Sequence, residues 1–439
     1  MVVLDLFSGA GGLSEGFHQE GYKIIAQVEK EKWACETLKT RIFYHFLKEN
    51  NDLNLYYQYL DSVQSYKNIN DAREIVFNKY PHLKEKIQYE VLNKKFGNPQ
   101  NDNDATSLKD IIKLIDNAIS YNNENKVDLM IGGPPCQAYS LVGRGRMKES
   151  AEKDSRNFLF YYYLNLVKEY QPKAFIFENV PGILTAKKGE VFKKIKEEFY
   201  KIGYNIVSGP SDTDNDNILD FADFGVPQRR KRVILFGYKS NKKFEYPNFR
   251  QHSYNWDHDV ITKFVIGDLN KLKPGEGNDH KLINYDKEEQ GLQSYQKFMR
   301  QNSIGVTNHM ARKIHPRDKK IYELYIKKAE KGEQLKYSDL PTQLKTHKNQ
   351  TAFLDRFKVH FWDKLPHTVV AHISKDGHYN IHPDLKQGRS LTVREAARIQ
   401  SFPDNYYFEG PRTAQYVQVG NAVPPLMSSV IAKTLIDMI

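Results

Sequence analysis

Val2-Val3-Leu4-Asp5-Leu6-Phe7-Ser8-Gly9-Ala10-Gly11-Gly12-Leu13-Ser14 opens the chain with an apolar run, a Gly-rich break and the start of a second apolar segment. A short apolar run bounded by glycines reads as a buried strand, and residues 13–20 after the break read as a helix. Glycines at the strand's end let the backbone turn sharply and come close to a ligand. The run does not complete a dinucleotide-binding G-x-G-x-x-G, because Ser14 stands at the last glycine position.

The same punctuation recurs along the chain. A second strand, residues 23–28, ends at Glu29 and is followed by a helical stretch over residues 33–42. An apolar strand over residues 127–131 runs into Gly132-Gly133-Pro134-Pro135-Cys136, and another over 174–177 runs into Glu178-Asn179. Residues 232–238 read as a further strand that closes the region. Each strand delivers polar or reactive groups at its carboxyl end, where open α/β sheets place their ligand crevice. Glu29 follows the glycines by about 20 residues, the spacing of a carboxylate that accepts hydrogen bonds from ribose hydroxyls.

A length of 439 residues favours two domains. The chain carries 65 Lys and Arg against 54 Asp and Glu, a net charge of +11 that favours a polyanionic partner. Two cysteines, Cys35 and Cys136, suggest neither a disulfide framework nor a Cys-rich metal site, and fit a reducing cytoplasm. The start of the chain shows no basic leader, and no apolar run is long enough to span a bilayer. His309, His315, His372, His378 and His382 fit no tight ligand spacing, so no metal is expected and they read as DNA contacts or surface residues.

Pro134 and Pro135 stiffen the loop that carries the Cys136 thiol. Cys35, inside a helical stretch, reads as a small buried hydrophobe. Residues 5–17, 133–140, 177–182, 228–232, 389–402 and 418–424 resemble, in order, the motifs of the cytosine carbon-5 DNA methyltransferases. The resemblance spans nearly the whole chain. It implies an α/β fold with a Rossmann-like S-adenosylmethionine-dependent methyltransferase sheet and a smaller, irregular target-recognition domain. The catalytic domain would comprise residues 1–245 and 415–439, with a partly helical insertion at about 43–103, and the recognition domain and hinge residues 246–414.

Cytosine carbon 5 is too weak a nucleophile to attack a sulfonium methyl until a thiolate adds at carbon 6, so the chemistry needs a cysteine. By the resemblance, Cys136 is that nucleophile, a protonated Glu178 meets ring nitrogen 3, Arg232 holds the carbonyl oxygen, and Arg230 helps order the catalytic loop. The cofactor would be met by Phe7, Gly9, Gly11, Gly12, Leu13, Glu29, Asp104, Pro135, Leu159, Asn421 and Ala422. Asp110 and Asp116 are alternatives to Asp104. Lys30 stands where the family often has an aromatic residue against adenine, and Trp33 follows three residues on.

The target base must leave the DNA stack to be reached. Ser140, Arg144 and Arg146, on the glycine-bearing loop after Cys136, and Arg356, Thr368 and Val369, in the interval between the motifs, are the expected contacts to double-stranded DNA. The resemblance further implies a monomer in the bacterial cytoplasm, associated with the nucleoid and paired with a separately acting restriction endonuclease. A transfer-RNA cytosine methyltransferase of the same fold and a catalytically silent DNA-binding regulator are the alternative readings.

Overall fold

The first strand, β1 (Val2–Leu6), is buried at all five positions, as a central parallel strand covered on both faces must be. Around it the computed structural model, which describes residues 1–63, 65, 67–135, 159–207, 217–239, 244–286, 291–345 and 354–439, builds an eight-stranded sheet. The other strands are β2 (Lys23–Glu29), β3 (Val91–Asn93), β4 (Leu129–Gly132), β5 (Ala174–Asn179), β6 (Tyr204–Val207), β7 (Ile218–Asp220) and β8 (Lys231–Lys239). Their order is β3-β2-β1-β4-β5-β8-β6, with β7 also pairing with β8. Strands β3, β2, β1, β4 and β5 run parallel, whereas β8 is antiparallel to β5, β6 and β7. Strand order reverses between β1 and β4, the switch point at which such sheets open a crevice.

The register aligns the reactive ends. Leu6 pairs with Gly132, and Gly132 with Phe177, so the Gly-rich turn, the Gly133-Pro134-Pro135 loop and Glu178 emerge side by side. Alternate residues feed opposite faces of the sheet: Val3, Ile131, Ile176 and Ile234 join one apolar core, while Leu4, Met130, Phe175, Phe177 and Leu235 join the other.

The longer helices are α1 (Gly12–Gln19), α2 (Lys32–Glu49), α3 (Leu53–Ser62), α4 (Ile69–Lys79), α5 (His82–Glu90), α6 (Leu108–Tyr121), α7 (Leu159–Tyr170), α8 (Glu190–Lys201), α9 (Pro316–Ala329), α10 (Val393–Ile399), α11 (Arg412–Asn421) and α12 (Pro425–Ile436). The predicted helix over 33–42 runs on to Glu49 because Phe43, Tyr44 and Leu47 continue its apolar face into a separate core with Tyr56, Tyr59 and Phe77. The insertion expected at 43–103 therefore begins inside α2 and folds as a helical layer over α3 to α5.

The interval 246–414 divides by its packing. Val265, Tyr295, Met299, Val369, Leu391 and Val393 share the sheet's core, whereas α9 builds a smaller one with Tyr337, Phe357 and Ile381. Arg389, Arg394 and Arg398 are fully buried here, satisfied by carbonyls and carboxylates. Arg398 lies between Asp268 and Asp404, with nitrogen to oxygen distances of 3.0 and 2.5 Å. The chain then returns to the first helix: Tyr22 donates to the Ala432 carbonyl at 2.9 Å, and the Ser428 hydroxyl donates to the Leu13 carbonyl.

Candidate active site

The carboxyl ends of the parallel strands open onto a cleft of about 1910 Å³. Its floor begins with the Gly-rich turn. Phe7 lies in the left-handed region at φ 58°, a strained conformation for a bulky residue and a hallmark of functional turns. The turn is pinned by Phe7 N–H donating to the Val28 carbonyl at 2.9 Å, and the Phe7 ring packs 5.0 Å from that of Phe96. Glu29 closes one side, where its carboxylate accepts from the backbone N–H groups of Gly9, Lys30 and Glu31, each at 2.8 Å. Burial raises its pKa above the ordinary carboxylate value, against the pull of those three donors.

Asp5 sits beneath the turn, fully buried, and burial pushes its carboxyl up to about 7. Ser14 donates to its Oδ2, while Oδ1 has no hydrogen-bond partner. An orphaned acceptor on the floor of the cleft suits a ligand that brings a donor, as the amino groups of S-adenosylmethionine do. Phe7, Gly9, Leu13, Glu29, Pro135, Leu159, Asn421 and Ala422 all line this cleft, as the sequence leads one to expect.

Three expected cofactor residues stand elsewhere. Gly11 and Gly12 serve packing instead: a Cβ on Gly11 would meet Leu38 at 2.6 Å, and one on Gly12 would meet the Val423 carbonyl oxygen at 2.1 Å. They are glycines because α2 and the returning chain press directly on the turn. Asp104 is exposed and lies outside the cleft lining, where its N–H donates to Asp102, and it is Asp102 that reaches the lining. The alternatives are also engaged elsewhere, Asp110 capping α6 with Ser107 and Asp116 accepting from Tyr170 at 3.0 Å. Trp33 lines the cleft; its ring lies against the backbone of Gly410.

At the reactive end, Arg232 Nε lies 3.0 Å from Glu178 Oε1, both side chains being about one-sixth exposed at 16% and 15%. Sequence reading gives these residues separate tasks on a base; here each is the other's partner. Asn179, to which it gives no role, is buried and donates to the Pro134 carbonyl at 2.9 Å, so the strand that carries Glu178 also holds the Pro134-Pro135 loop. Cys136, Ser140, Arg144 and Arg146 lie outside the described residues.

Arg230 is buried, lines the cleft and bonds to main chain of two distant segments. Its Nη1 donates to the Val369 carbonyl at 3.0 Å and its Nη2 to the Gly420 carbonyl at 3.2 Å. Burial and the neighbouring Arg232 hold its pKa well below the usual guanidinium value. Gln228 accepts from Val369 N–H at 3.0 Å and donates to the Ile399 carbonyl at 3.1 Å. Val369 is therefore fully buried, and Thr368 donates to the Arg229 carbonyl. The Thr-Val pair expected on DNA is an internal clasp. Arg356 is half-buried, with its guanidinium 4.0 Å from the Tyr337 ring centroid.

Two of the five histidines differ from the surface reading, while His315 and His372 are exposed. His309 and His382 are buried, and His309 lies 2.9 Å from both Thr392 and the Asn270 carbonyl. His315 caps α9 by accepting from Arg317 N–H. Cys35 is buried, with its thiol raised by burial and donating to the Glu29 carbonyl at 3.3 Å, consistent with an inert packing residue.

The model of C-5 cytosine-specific DNA methylases matches residues 1–60 and 79–437, and the chain belongs to that family. It is a DNA (cytosine-5-)-methyltransferase of the Type II restriction-modification kind. The Type II methyltransferase M.Bpa9945I of Bacillus paralicheniformis is 63% identical over 441 residues, covering 100% of this chain and 99% of the relative. The Type II methyltransferase M1.HphI of Haemophilus parahaemolyticus is 29% identical over 438 residues, covering 100% and 87%. Among solved structures, a prophage-encoded DNA modification methyltransferase (E. coli) is 20% identical, covers 100% of this chain and 99% of its own, and superposes with a TM-score of 0.60, a likeness of fold. The family and fold imply S-adenosylmethionine as methyl donor, and DNA is the substrate. The family model skips only residues 61–78 between its two matches, so most of the helical layer is within its reach. Among the described residues, no helix is long and apolar enough to cross a membrane.

Proposed function

We propose that the enzyme methylates one cytosine of a specific duplex sequence by covalent catalysis at Cys136, with Glu178 and Arg232 meeting the polar edge of the base. The observation that carries this reading is the Glu178 to Arg232 ion pair at the end of the cleft that also takes in Pro135, the residue before the thiol. For an incoming cytosine, Arg232 offers a donor to the carbonyl oxygen, and Glu178, once the two part and it carries a proton, offers a donor to the ring nitrogen. The Cys136 sulfur adds to carbon 6 of the base, carbon 5 takes the methyl group, and the proton on carbon 5 then leaves to a base as the sulfur departs.

S-adenosylmethionine supplies the electrophilic methyl. Asp5 and Glu29 would take its donor groups, and Phe7, Leu13, Leu159, Asn421 and Ala422 its remaining contacts. Arg230 acts as a positioning residue that ties residues 366–371 and the end of α11 to the base of β8. The interval 246–414 reads the DNA sequence, with Arg356 among its contacts, and Ser140, Arg144 and Arg146 reach the phosphates. The chain works as a monomer in the bacterial cytoplasm beside the nucleoid, protecting sites that a separate endonuclease would cut.

Bisulfite sequencing of DNA from cells expressing the chain identifies the modified base and its context. Cys136→Ala should abolish methyl transfer from labelled S-adenosylmethionine while leaving binding of S-adenosylhomocysteine intact. It should also abolish covalent capture on duplex carrying 5-fluorocytosine at the target. Turnover or capture by the variant at the wild-type level would refute the role of the thiol.

A further inference from the structure

Residues 368–371 are clasped from several sides. Thr368 bonds to the Arg229 carbonyl, the Val369 N–H to Gln228 and the Val369 carbonyl to Arg230. Gly420 approaches so closely that a Cβ there would sit 2.3 Å from Ala371 N and 2.4 Å from Val370 C. A segment fixed this tightly presents its free side chain at one place. That side chain is Val370, which is 37% exposed and lines the same cleft as Glu178 and Arg232, whereas its neighbour Val369 is fully buried. Large apolar groups are uncommon at this exposure among the described residues, the others being Tyr200, Ile304 and Ile436, none of which lines the cleft. An apolar side chain held in the open by a segment clasped in this way is organised for a partner.

We propose that Val370 is the apolar wall of the target-base pocket, packing against the cytosine that enters the cleft and setting the size of base that fits. The proposal rests on the reading that a cytosine is turned out of the duplex toward Glu178 and Arg232. A pyrimidine ring has a polar edge for an ion pair and apolar faces that gain from van der Waals contact, and a fixed branched side chain supplies that contact without losing rotamer freedom.

The test uses duplex carrying 2-aminopurine beside the target cytosine of the methylated context, whose fluorescence rises when that cytosine leaves the stack, with S-adenosylhomocysteine binding as the measure of an intact cofactor site. Wild-type enzyme should raise the fluorescence; if it binds the duplex without raising it, the flipping reading fails, whatever Val370 does. Val370→Phe should bind duplex and S-adenosylhomocysteine as wild type does yet lose the fluorescence rise. Val370→Ala should keep the rise and lower kcat/KM by about tenfold, the scale on which a pocket wall discriminates by its methyl groups. The near-isosteric Val370→Thr should recover most of that loss. A Val370→Phe variant that flips the base like wild type overturns the proposal. Should that variant fail to bind S-adenosylhomocysteine, the small variant decides, and an unchanged kcat/KM in Val370→Ala overturns it equally.

Discussion

Replacing Gly12 by alanine tests whether the Gly-rich turn owes its composition to the returning chain. The added Cβ would lie 2.1 Å from the Val423 carbonyl oxygen, 3.1 Å from Phe402 Cζ and 3.2 Å from Ala422 Cβ. A carbon and a carbonyl oxygen rest at about 3.3 Å, so the carbonyl must retreat by about 1 Å. It is main chain, and it cannot swing aside: Pro424 and Pro425 follow, and Ser428 in the next helix is bonded to Leu13. The shift therefore falls on Asn421 and Ala422, which line the cleft. Overpacking of this kind costs about 1–3 kcal/mol. If the strain is relieved by displacing those two residues, S-adenosylhomocysteine should bind roughly ten- to hundredfold more weakly, at about 1.4 kcal/mol per decade. Titration calorimetry reads the affinity and thermal unfolding the stability. Gly21→Ala is the control, since Gly21 has positive φ but nothing within 4 Å of a Cβ; it should lower stability and leave affinity alone. A Gly12→Ala protein with wild-type affinity and wild-type melting would refute the reasoning.

Two further perturbations probe the frame around the cleft. Arg398→Met leaves Asp404 and part of Asp268 buried without their cation, so urea unfolding should show a loss of about 3–5 kcal/mol; a loss below about 1 kcal/mol would mean that the site relaxes to admit water. Burial holds His360 at about 4, below its ordinary value near 6.5. Between those limits the unfolded chain binds the proton and the folded one does not, so this contribution to stability falls as pH falls. At pH 5 the effect is about 2 kcal/mol relative to neutral pH. His360→Asn should shrink the difference in unfolding free energy between pH 7.5 and pH 5 by about that amount, and an unchanged difference would exclude His360 as its source.

The sheet was legible because its signals are local. Apolar runs ending in glycine, proline or acid mark β1, β2, β4 and β5, and the observed strands agree to within one or two residues at most ends. The lining of the cleft was legible where a motif residue meets the cleft directly, as Phe7, Glu29, Pro135 and Asn421 do. Failures came where the third dimension intervenes. Nothing in the Gly-rich run tells which glycines face a ligand and which make room for Val423 and Leu38. Nothing local to Arg230 names Val369 and Gly420 as its acceptors, since they lie 139 and 190 residues away. Asp104 fails for a related reason: residues 105–106 pair with 95–96, which turns this segment so that Asp102 reaches the lining instead. The signal for Val369 lay in its own residue type, because a valine beside a threonine that anchors to main chain is more readily a core residue than a DNA contact.

The arrangement of Gln228, Arg229 and Arg230 bears on how distant segments are held around the cleft. These residues precede β8, whose Ile234 pairs with Glu178, and through them one strand start fixes three distant segments. Gln228 takes Val369 and Ile399, Arg229 takes Thr368 through its carbonyl, and Arg230 takes Val369 and Gly420. Of the four, only Arg232, last in the series, pairs its charge with Glu178. Four of these contacts use backbone groups of the partner segments, which any sequence can supply except where proline removes an N–H, while Thr368 and Gln400 contribute side chains. The positions of residues 368–371 and 420–422 relative to Glu178 are thereby held largely by main chain. A clasp built largely on main chain leaves the geometry of the cleft little dependent on the exposed side chains of the interval.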